Sequence, residues 1–296
     1  MIPYVRDMSF EYGKADQVSP LIRRVIANNP GPFTFRGTGT YIIGQGEGVA
    51  VIDPGPDQPE HLQAILETLA GEQVSHILIT HHHLDHSPLA RPLADATGAT
   101  IYGCAVKAPV VEDGVRTEAG FDQFEPQVSV CGGAAIAGRG WTMDAIPTPG
   151  HTSNHICYAL AEENCCFTGD HIMGWSTTVV TPPDGDMGDY MASLDAIQSR
   201  GFATLWPTHG PPITQPGPFI DAYREHRRER ERQILAQLAA GESRIVEMVP
   251  KMYVGVDQRL YPAAARSVHA HMIELVRSGR VVSDDAAVLG ASYRLA

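Results

Sequence analysis

The chemistry of this chain is concentrated in Thr80-His81-His82-His83-Leu84-Asp85-His86-Ser87. Four imidazoles and a carboxylate crowd into six positions, directly after an apolar run, Val74 to Ile79, that reads as a buried strand. Such a cluster is costly to bury unless it meets something cationic. Neutral imidazole and carboxylate are standard zinc ligands. Side chains two apart in an extended segment point the same way, so His81 and His83 can reach one metal while His82 points away. Asp85 and His86 lie where the chain turns and can hold a second metal; two metals sharing a water make a hydrolytic arrangement. The plain alternative is a surface histidine cluster or a tag remnant, but a tag would lie at a terminus and would not follow a strand.

Three later segments repeat the pattern of a strand that ends in a metal-binding residue. Thr142–Ile146 runs into Pro147-Thr148-Pro149-Gly150-His151, where the Pro-Gly pair turns the chain and presents His151. Cys165–Thr168 ends in Gly169-Asp170-His171, and Thr204–Pro207 ends in Thr208-His209. The strand exits therefore offer His81, His83, Asp85, His86, His151, Asp170 and His209. Grouped three and three around a shared Asp170, they fill two metal sites with room for a bridging hydroxide. Two zinc ions are the expected cofactors, with iron or manganese as alternatives. Asp85 and Asp170 are the candidate catalytic residues, Asp85 orienting the hydroxide or taking its proton.

The elements that must position these groups follow in order. Residues 1–36 read as irregular structure with an edge strand. Thr40–Gly44 and Gly48–Asp53 form a hairpin, and a helix opens at Pro59 and closes at Gly71. The strand 74–79, a helix near Pro88–Thr97 and a strand at Ala99–Gly103 complete the first hundred residues. Residues 104–140 mix Pro, Gly and charges; they read as loops with one or two strands and as a segment that shapes the substrate site. A helix spans Asp189–Arg200. In the tail, helices at 218–240, 243–249 and 262–278 precede two short strands that can pair as a wing, a winged-helix arrangement. The expected division is a catalytic domain over 1–221 and a winged-helix-like domain over 222–296.

The chain has 296 residues and a net charge of −12. The charge is uneven: residues 222–296 carry +3, from twelve basic and nine acidic side chains, and the rest carries −15. An acidic body disfavours general binding to a phosphate backbone, although a local groove can still be basic. The Arg224–Arg232 run alternates with Glu225, Glu229 and Glu231, as in a solvated helix laced with ion pairs. The expected partner is a small ester-type substrate. Nucleic acid is the disfavoured one, and the apolar stripe Val268, Met272, Leu275, Val276 calls for cover from the main domain or a second copy in a homodimer. The five cysteines are scattered without a CxxC pair and read as reduced thiols of a cytoplasmic protein. No apolar run is long enough to span a membrane, and the first residues do not read as a signal peptide.

The motif THHHLDH fits the HxHxDH signature of the metallo-β-lactamase superfamily, and PGHTSNH, TGDHIMG and THGPP resemble its later ligand motifs in the same order. The match spans roughly residues 30–215. It implies an α+β fold, a four-layer αββα sandwich with metals at one edge between the sheets. By family role His81, His83 and His151 hold the first metal, Asp85, His86 and His209 the second, and Asp170 bridges. Asp53, in VAVIDPG, matches a position that supports the ligand loops; read from the residues alone it is equally a turn former. The commoner class B lactamases carry Cys where this chain has Asp170, so the resemblance is to the broader hydrolases. The nearest likeness is the lactamase-beta-like protein 2 branch, which pairs this core with a winged-helix-like tail and includes a ribonuclease. The function expected is dinuclear-zinc hydrolysis of an ester, thioester, lactone or phosphodiester by a metal-bridging hydroxide. The alternatives are endoribonuclease action on single-stranded RNA and mononuclear-iron oxidation of persulfides.

Overall fold

A computed structural model describes residues 1–105 and 124–296. Its centre is two stacked β-sheets. The first has seven strands in sequential order: β1 (Ala15–Gln17), β2 (Ile22–Ile26), β3 (Gly39–Ile43), β4 (Glu47–Ile52), β5 (Gln73–Leu78), β6 (Thr100–Gly103) and β7 (Val128–Ser129). The second has five, ordered β12 (Thr204–Pro207), β11 (Cys165–Gly169), β10 (Ile156–Leu160), β9 (Trp141–Pro147) and β8 (Ala134–Gly138). Between them lies a core in which Tyr41, Ile43, Ile52 and Leu78 of the first sheet meet Met143, Tyr158, Phe167 and Trp206 of the second.

Each sheet buries its other face under helices. α1 (Pro59–Thr68) and α2 (Ala90–Thr97) cover the first, where Ile65 and Leu93 pack on Ile42, Val51 and Ile77. α3 (Met187–Ser199) and α4 (Pro216–Ala239) cover the second through Tyr190, Leu194, Phe219 and Tyr223. The strands that are buried on both faces, β3, β10 and β11, read as continuous buried runs rather than alternations. The result is the expected four-layer αββα sandwich.

Strand direction decides where the chemistry lands. β4 and β5 are parallel, and so are β11 and β12. β9 and β11 are both antiparallel to β10, so they too run the same way. Asp53, His81, His151, Asp170 and His209, which follow the C-terminal ends of β4, β5, β9, β11 and β12, therefore emerge at one edge of the sandwich. Backbone bonds tie the two sheets together there, from Ile156 N to Thr80 O at 2.8 Å and from Gly39 N to Thr208 O at 2.8 Å. Two core tyrosines also cap strand ends across the layer: Tyr41 donates to Pro207 O at 2.6 Å and Tyr158 to Ile79 O at 2.9 Å.

The tail contains α5 (Ile245–Met252), α6 (Tyr261–Arg277) and an antiparallel wing of β13 (Val281–Ser283) and β14 (Tyr293–Leu295). α4 runs unbroken through the expected boundary at 221/222 and serves both cores. Phe219, Ile220 and Tyr223 pack on the main sheet, while Ile234 and Leu238 pack in the tail.

Three expectations are corrected. Residues 1–36 are not irregular with a single edge strand: β2 is an interior strand with Ile22, Val25 and Ile26 buried. The pair Arg23-Arg24 hides it by breaking the apolar run. Arg23 is neutralised by Glu72 at 2.7 Å, and Arg24 is 5% exposed beside Asp16. Two of the cysteines are not thiols, because Cys104 and Cys131 form a disulfide, while Cys157, Cys165 and Cys166 are buried and free. The inference of a reducing compartment thus loses two of its five supports. Finally, Val268, Met272 and Leu275 are covered by the tail's own Ile234, Ile245, Met248 and Tyr293, so the stripe needs neither the main domain nor a second copy. The expected strands within 104–140 are β7 and β8; residues 106–123 of that segment lie outside the described residues. No helix among the described residues is long and apolar enough to cross a membrane.

Candidate metal centre

The seven residues expected as ligands converge. Ligand atoms of His81, His83 and His151 lie together, as do those of His81, His86 and Asp170, and those of Asp85, His86 and His209, each set within 4.8 Å. In the first set His83 Nδ1 is 2.9 Å from His81 Nε2 and 3.2 Å from His151 Nε2. Nitrogens around a tetrahedral cation with bonds of about 2.0–2.1 Å stand roughly 3.3 Å apart, so this triangle is close to coordination spacing. In the set of Asp85, His86 and His209, which forms the second cluster, His209 Nε2 is 3.1 Å from Asp85 Oδ2, and His86 Nε2 is 3.5 Å from the same oxygen. Asp170 lies between the sets: Oδ2 is 3.6 Å from His86 Nε2 and 3.8 Å from His151 Nε2, and Oδ1 is 3.4 Å from His209 Nε2.

The hydrogen bonds behind the rings fix which nitrogen faces inward. His86 Nδ1 donates to Asp53 Oδ2 at 2.8 Å, His151 Nδ1 to Val179 O at 2.7 Å and His209 Nδ1 to Gly37 O at 3.2 Å. Carboxylate and carbonyl oxygens only accept, so each ring holds its proton on Nδ1 and, when neutral, presents a lone pair on Nε2. Thr80 Oγ1 donates to Asp53 at 2.7 Å, which leaves its oxygen to accept from His81 Nδ1 at 3.0 Å. His81 is thereby set in the same tautomer.

Asp53 is the hub of this support. It is fully buried, and it accepts from Thr80 N, Thr80 Oγ1, Thr208 Oγ1 and His86 Nδ1 at 2.7–3.0 Å. It links the exits of β4, β5 and β12 in one stroke. Asp170 has its own brace. Its backbone N–H donates to His155 Nε2 at 3.2 Å, and His155 Nδ1 donates to Thr148 Oγ1 at 2.8 Å. Only glycine fits before it: Gly169 has φ +51°, and a Cβ there would lie 2.6 Å from His155 Nε2 and 2.9 Å from Thr80.

Among the ligand residues, three buried atoms make no hydrogen bond to a described residue: His86 Nε2, His209 Nε2 and Asp170 Oδ1. All three face the second cluster. Leaving such atoms without a partner costs about 1–3 kcal/mol each. A divalent cation relieves all three, and the donor set of imidazole nitrogen and carboxylate oxygen suits one. The residues present fit a metal centre.

Charge follows the same logic. Burial and the neighbouring imidazoles hold His81 and His83 well below the usual histidine range, and burial lowers His151. These three rings are neutral and ready to coordinate near neutral pH. Burial opposes charge on His86 and His209 too, but Asp85 and Asp170 outweigh it and push both upward. Burial would raise the two carboxyls, yet His86 and His209 hold Asp85 and Asp170 well below the usual carboxylate range. The carboxylates are ionised, and a cation bound in the second cluster would displace protons from His86 and His209.

His82 turns away, as expected from the spacing. It is buried beside the loop between β9 and β10, with Nδ1 3.0 Å from Asn154 Oδ1. His269 and His271 of α6 are buried in the tail and join no ligand cluster among the described residues. The residues missed from sequence are Thr80, Thr148, Thr208 and His155. A signal was present: Thr precedes His at two strand exits, Thr80-His81 and Thr208-His209.

A family model described as the metallo-beta-lactamase superfamily matches residues 34–209. The chain belongs to the metallo-β-lactamase superfamily. It is a hydrolase of that superfamily, and a beta-lactamase associated winged helix domain matches residues 245–289. A beta-lactamase-like protein 2 homolog from Caenorhabditis elegans is 32% identical, over 90% of this chain and 88% of its own length. An atrochrysone carboxyl ACP thioesterase from Aspergillus chevalieri is 32% identical, over 75% of this chain and 67% of its own. Among solved structures, a metallo-beta-lactamase family protein from Thermus thermophilus superposes with a TM-score of 0.75 at 22% identity, covering 94% of this chain and 100% of its own. That likeness extends the superfamily fold through the winged tail.

Proposed function

We propose that this superfamily member is a dinuclear zinc hydrolase whose substrates are thioesters. One observation carries the dinuclear reading: His86 Nε2, His209 Nε2 and Asp170 Oδ1 are buried without a hydrogen bond and face a second cluster beside the His81, His83, His151 triangle. A single-metal oxidative site would leave that second cluster without a role. Bound divalent cations would supply an activated water and an electrostatic sink for charge developing on the attacked carbonyl oxygen.

The chain's own groups do the rest. Asp53 and the carbonyls of Val179 and Gly37 keep the proton of each ring on the outer nitrogen. Asp85 is the ligand nearest solvent, its side chain 26% exposed, and it stays ionised, so it can accept a hydrogen bond from the attacking water and orient it. The fully buried threonines and tyrosines behind the ligands keep them rigid, so little reorganisation is needed during the reaction.

Thioesters suit this arrangement because a thiolate leaves without a strong general acid, its conjugate acid having a pKa of about 8.5. The thioesterase relatives at 32% identity support the same class. Nucleic acid is disfavoured by the −15 charge of residues 1–221, and several basic side chains of the tail are already matched by carboxylates. Arg224 meets Asp195 and Asp221, Arg232 meets Glu225 and Glu229, and Arg280 meets Glu231.

The test is metal analysis together with a substrate panel of thioesters, lactones, phosphodiesters, nitrocefin and single-stranded RNA. About two zinc per chain and fastest turnover of a thioester are expected. One iron per chain with oxygen uptake on a persulfide would overturn the reading. So would RNA cleavage without thioester turnover.

A further inference from the structure

α4 carries two kinds of arginine. Arg224 and Arg232 are paired with carboxylates. Arg227 and Arg230, three apart and on one face of the helix, have no carboxylate within ion-pair distance among the described residues. Arg227 is 4% exposed; it donates to Thr178 O, lies 5.0 Å over the Tyr190 ring, and keeps its Nε without a partner. Arg230 lies 4.2 Å over the Tyr253 ring and otherwise, among the described residues, reaches Gln233 and Met252 O. His226 Nδ1, beside them, is buried without a hydrogen-bond partner among the described residues. A buried guanidinium without a counter-ion is costly, and an anion relieves that cost.

Arg227 and Arg230 line a groove of about 380 Å³ between residues 177–181 and the tail. Its rim is apolar, with Phe33, Val256 and Leu260 exposed. The groove and the metal centre share a wall. Consecutive carbonyls of one loop serve both, Thr178 O accepting from Arg227 and Val179 O accepting from His151 Nδ1. The body is acidic overall, but this face is locally cationic with apolar edges.

We infer that this groove binds the charged end of the substrate: a thioester with a phosphate or carboxylate on one arm, its stem lying along Phe33, Val256 and Leu260. The inference rests on the thioester reading above. Arg227 and Arg230 bind the anion, and the shared loop sets the reacting carbonyl beside His151.

Two pairs of thioesters separate the sources of charge. S-acetyl phosphopantetheine against S-acetyl pantetheine places it on the thiol arm. S-succinyl pantetheine against its methyl ester places it on the acyl arm. Arg230→Gln is the informative variant because Arg230 is only partly buried, whereas loss of the enclosed Arg227 threatens folding. Arg230→Lys keeps the charge, and Arg232→Gln, exposed on the same helix, is the control. The expected result is that one charged member is preferred. Arg230→Gln should cut the charged-to-neutral ratio of kcat/KM roughly 10- to 100-fold through KM, the scale of one charge-assisted hydrogen bond. Arg230→Lys should fall between, and Arg232→Gln should keep the wild-type ratio. Preference for neither charged member, or an equal effect of Arg232→Gln, overturns the inference.

Calorimetric titration of the full chain with the products, phosphopantetheine against pantetheine and succinate against monomethyl succinate, isolates binding from turnover. Arg230-dependent binding without hydrolysis of any thioester would keep the groove and remove the thioester reading. Hydrolysis without charge preference or Arg230-dependent binding would remove the groove alone. Steeply salt-dependent binding of single-stranded RNA that Arg230→Gln weakens, with no discrimination between the product pairs, would also overturn the assignment.

Discussion

Replacing Asp53 with Asn tests whether the ligands depend on one buried carboxylate that touches no substrate. The backbone there has φ +47°, a conformation that Asn tolerates better than Ala, so Asp53→Asn changes the acceptor without adding much backbone strain. Oδ2 accepts from Thr80 Oγ1, Thr208 Oγ1 and His86 Nδ1, and Oδ1 accepts from Thr80 N. An amide supplies only one oxygen. If that oxygen takes the Oδ2 place, the NH2 group faces the Thr80 N–H and two donors collide. If it takes the Oδ1 place, the NH2 group faces His86 Nδ1, which must become an acceptor. The proton then sits on Nε2 and blocks the atom that points into the second cluster. Either arrangement loses at least one charge-assisted bond in a buried site, a destabilisation of about 2–4 kcal/mol. Loss of such a supporting carboxylate should weaken metal binding about 10- to 100-fold. Urea unfolding of chelator-stripped protein reads the first effect. Metal retained after dialysis against graded competitor reads the second, with the equivalent at Asp85, His86 and His209 lost first. A variant that holds both equivalents as tightly as wild type, with stability within about 0.5 kcal/mol, would refute this account of the support.

Further outcomes follow from the same geometry. Asp170→Ala removes the carboxylate lying between the two clusters and should lower occupancy of both; undiminished binding of two metals with full turnover would contradict the dinuclear assignment. His82→Ala should leave metal content unchanged while costing about 1–3 kcal/mol for the lost buried contact to Asn154; loss of a metal equivalent would show that His82 faces the centre. In metal-free protein, the raised His86 and His209 contribute stability that is complete below about pH 6.5 and fades as pH rises through their folded values. The depressed Asp85 and Asp170 contribute stability that is complete above about pH 3.9 and is lost as pH falls through their folded values. Metal binding at pH 7 should therefore release protons, read by calorimetry in buffers of different ionisation enthalpy. Binding without proton release would show that both rings are already neutral.

All seven candidate ligands were legible in the sequence because their signals are local, whereas the sandwich was expected from the family resemblance of the motifs. A branched apolar run followed by His, Gly-Asp or Pro-Gly-x marks a strand and the group at its tip, and spacing of two separates His81 and His83 from His82. The interior strand β2 was not legible, because Arg23 and Arg24 break its pattern and are neutralised by partners on other elements. Nor was the Cys104–Cys131 bond, which joins residues 27 apart where β6 and β7 pair. The tautomer of each ligand is a tertiary decision. Asp53 reaches Thr208, 155 positions away, and two of the outer partners are backbone carbonyls, which leave no trace in residue identity. The same holds along α4. The sequence alone determined that basic and acidic side chains alternate there; only the packing of the helix against the main sheet and the tail decided that Arg224 and Arg232 find carboxylates while Arg227 and Arg230 face a groove without one. Charge type is written residue by residue, but whether a charge is compensated depends on what the fold brings within a few ångströms of it.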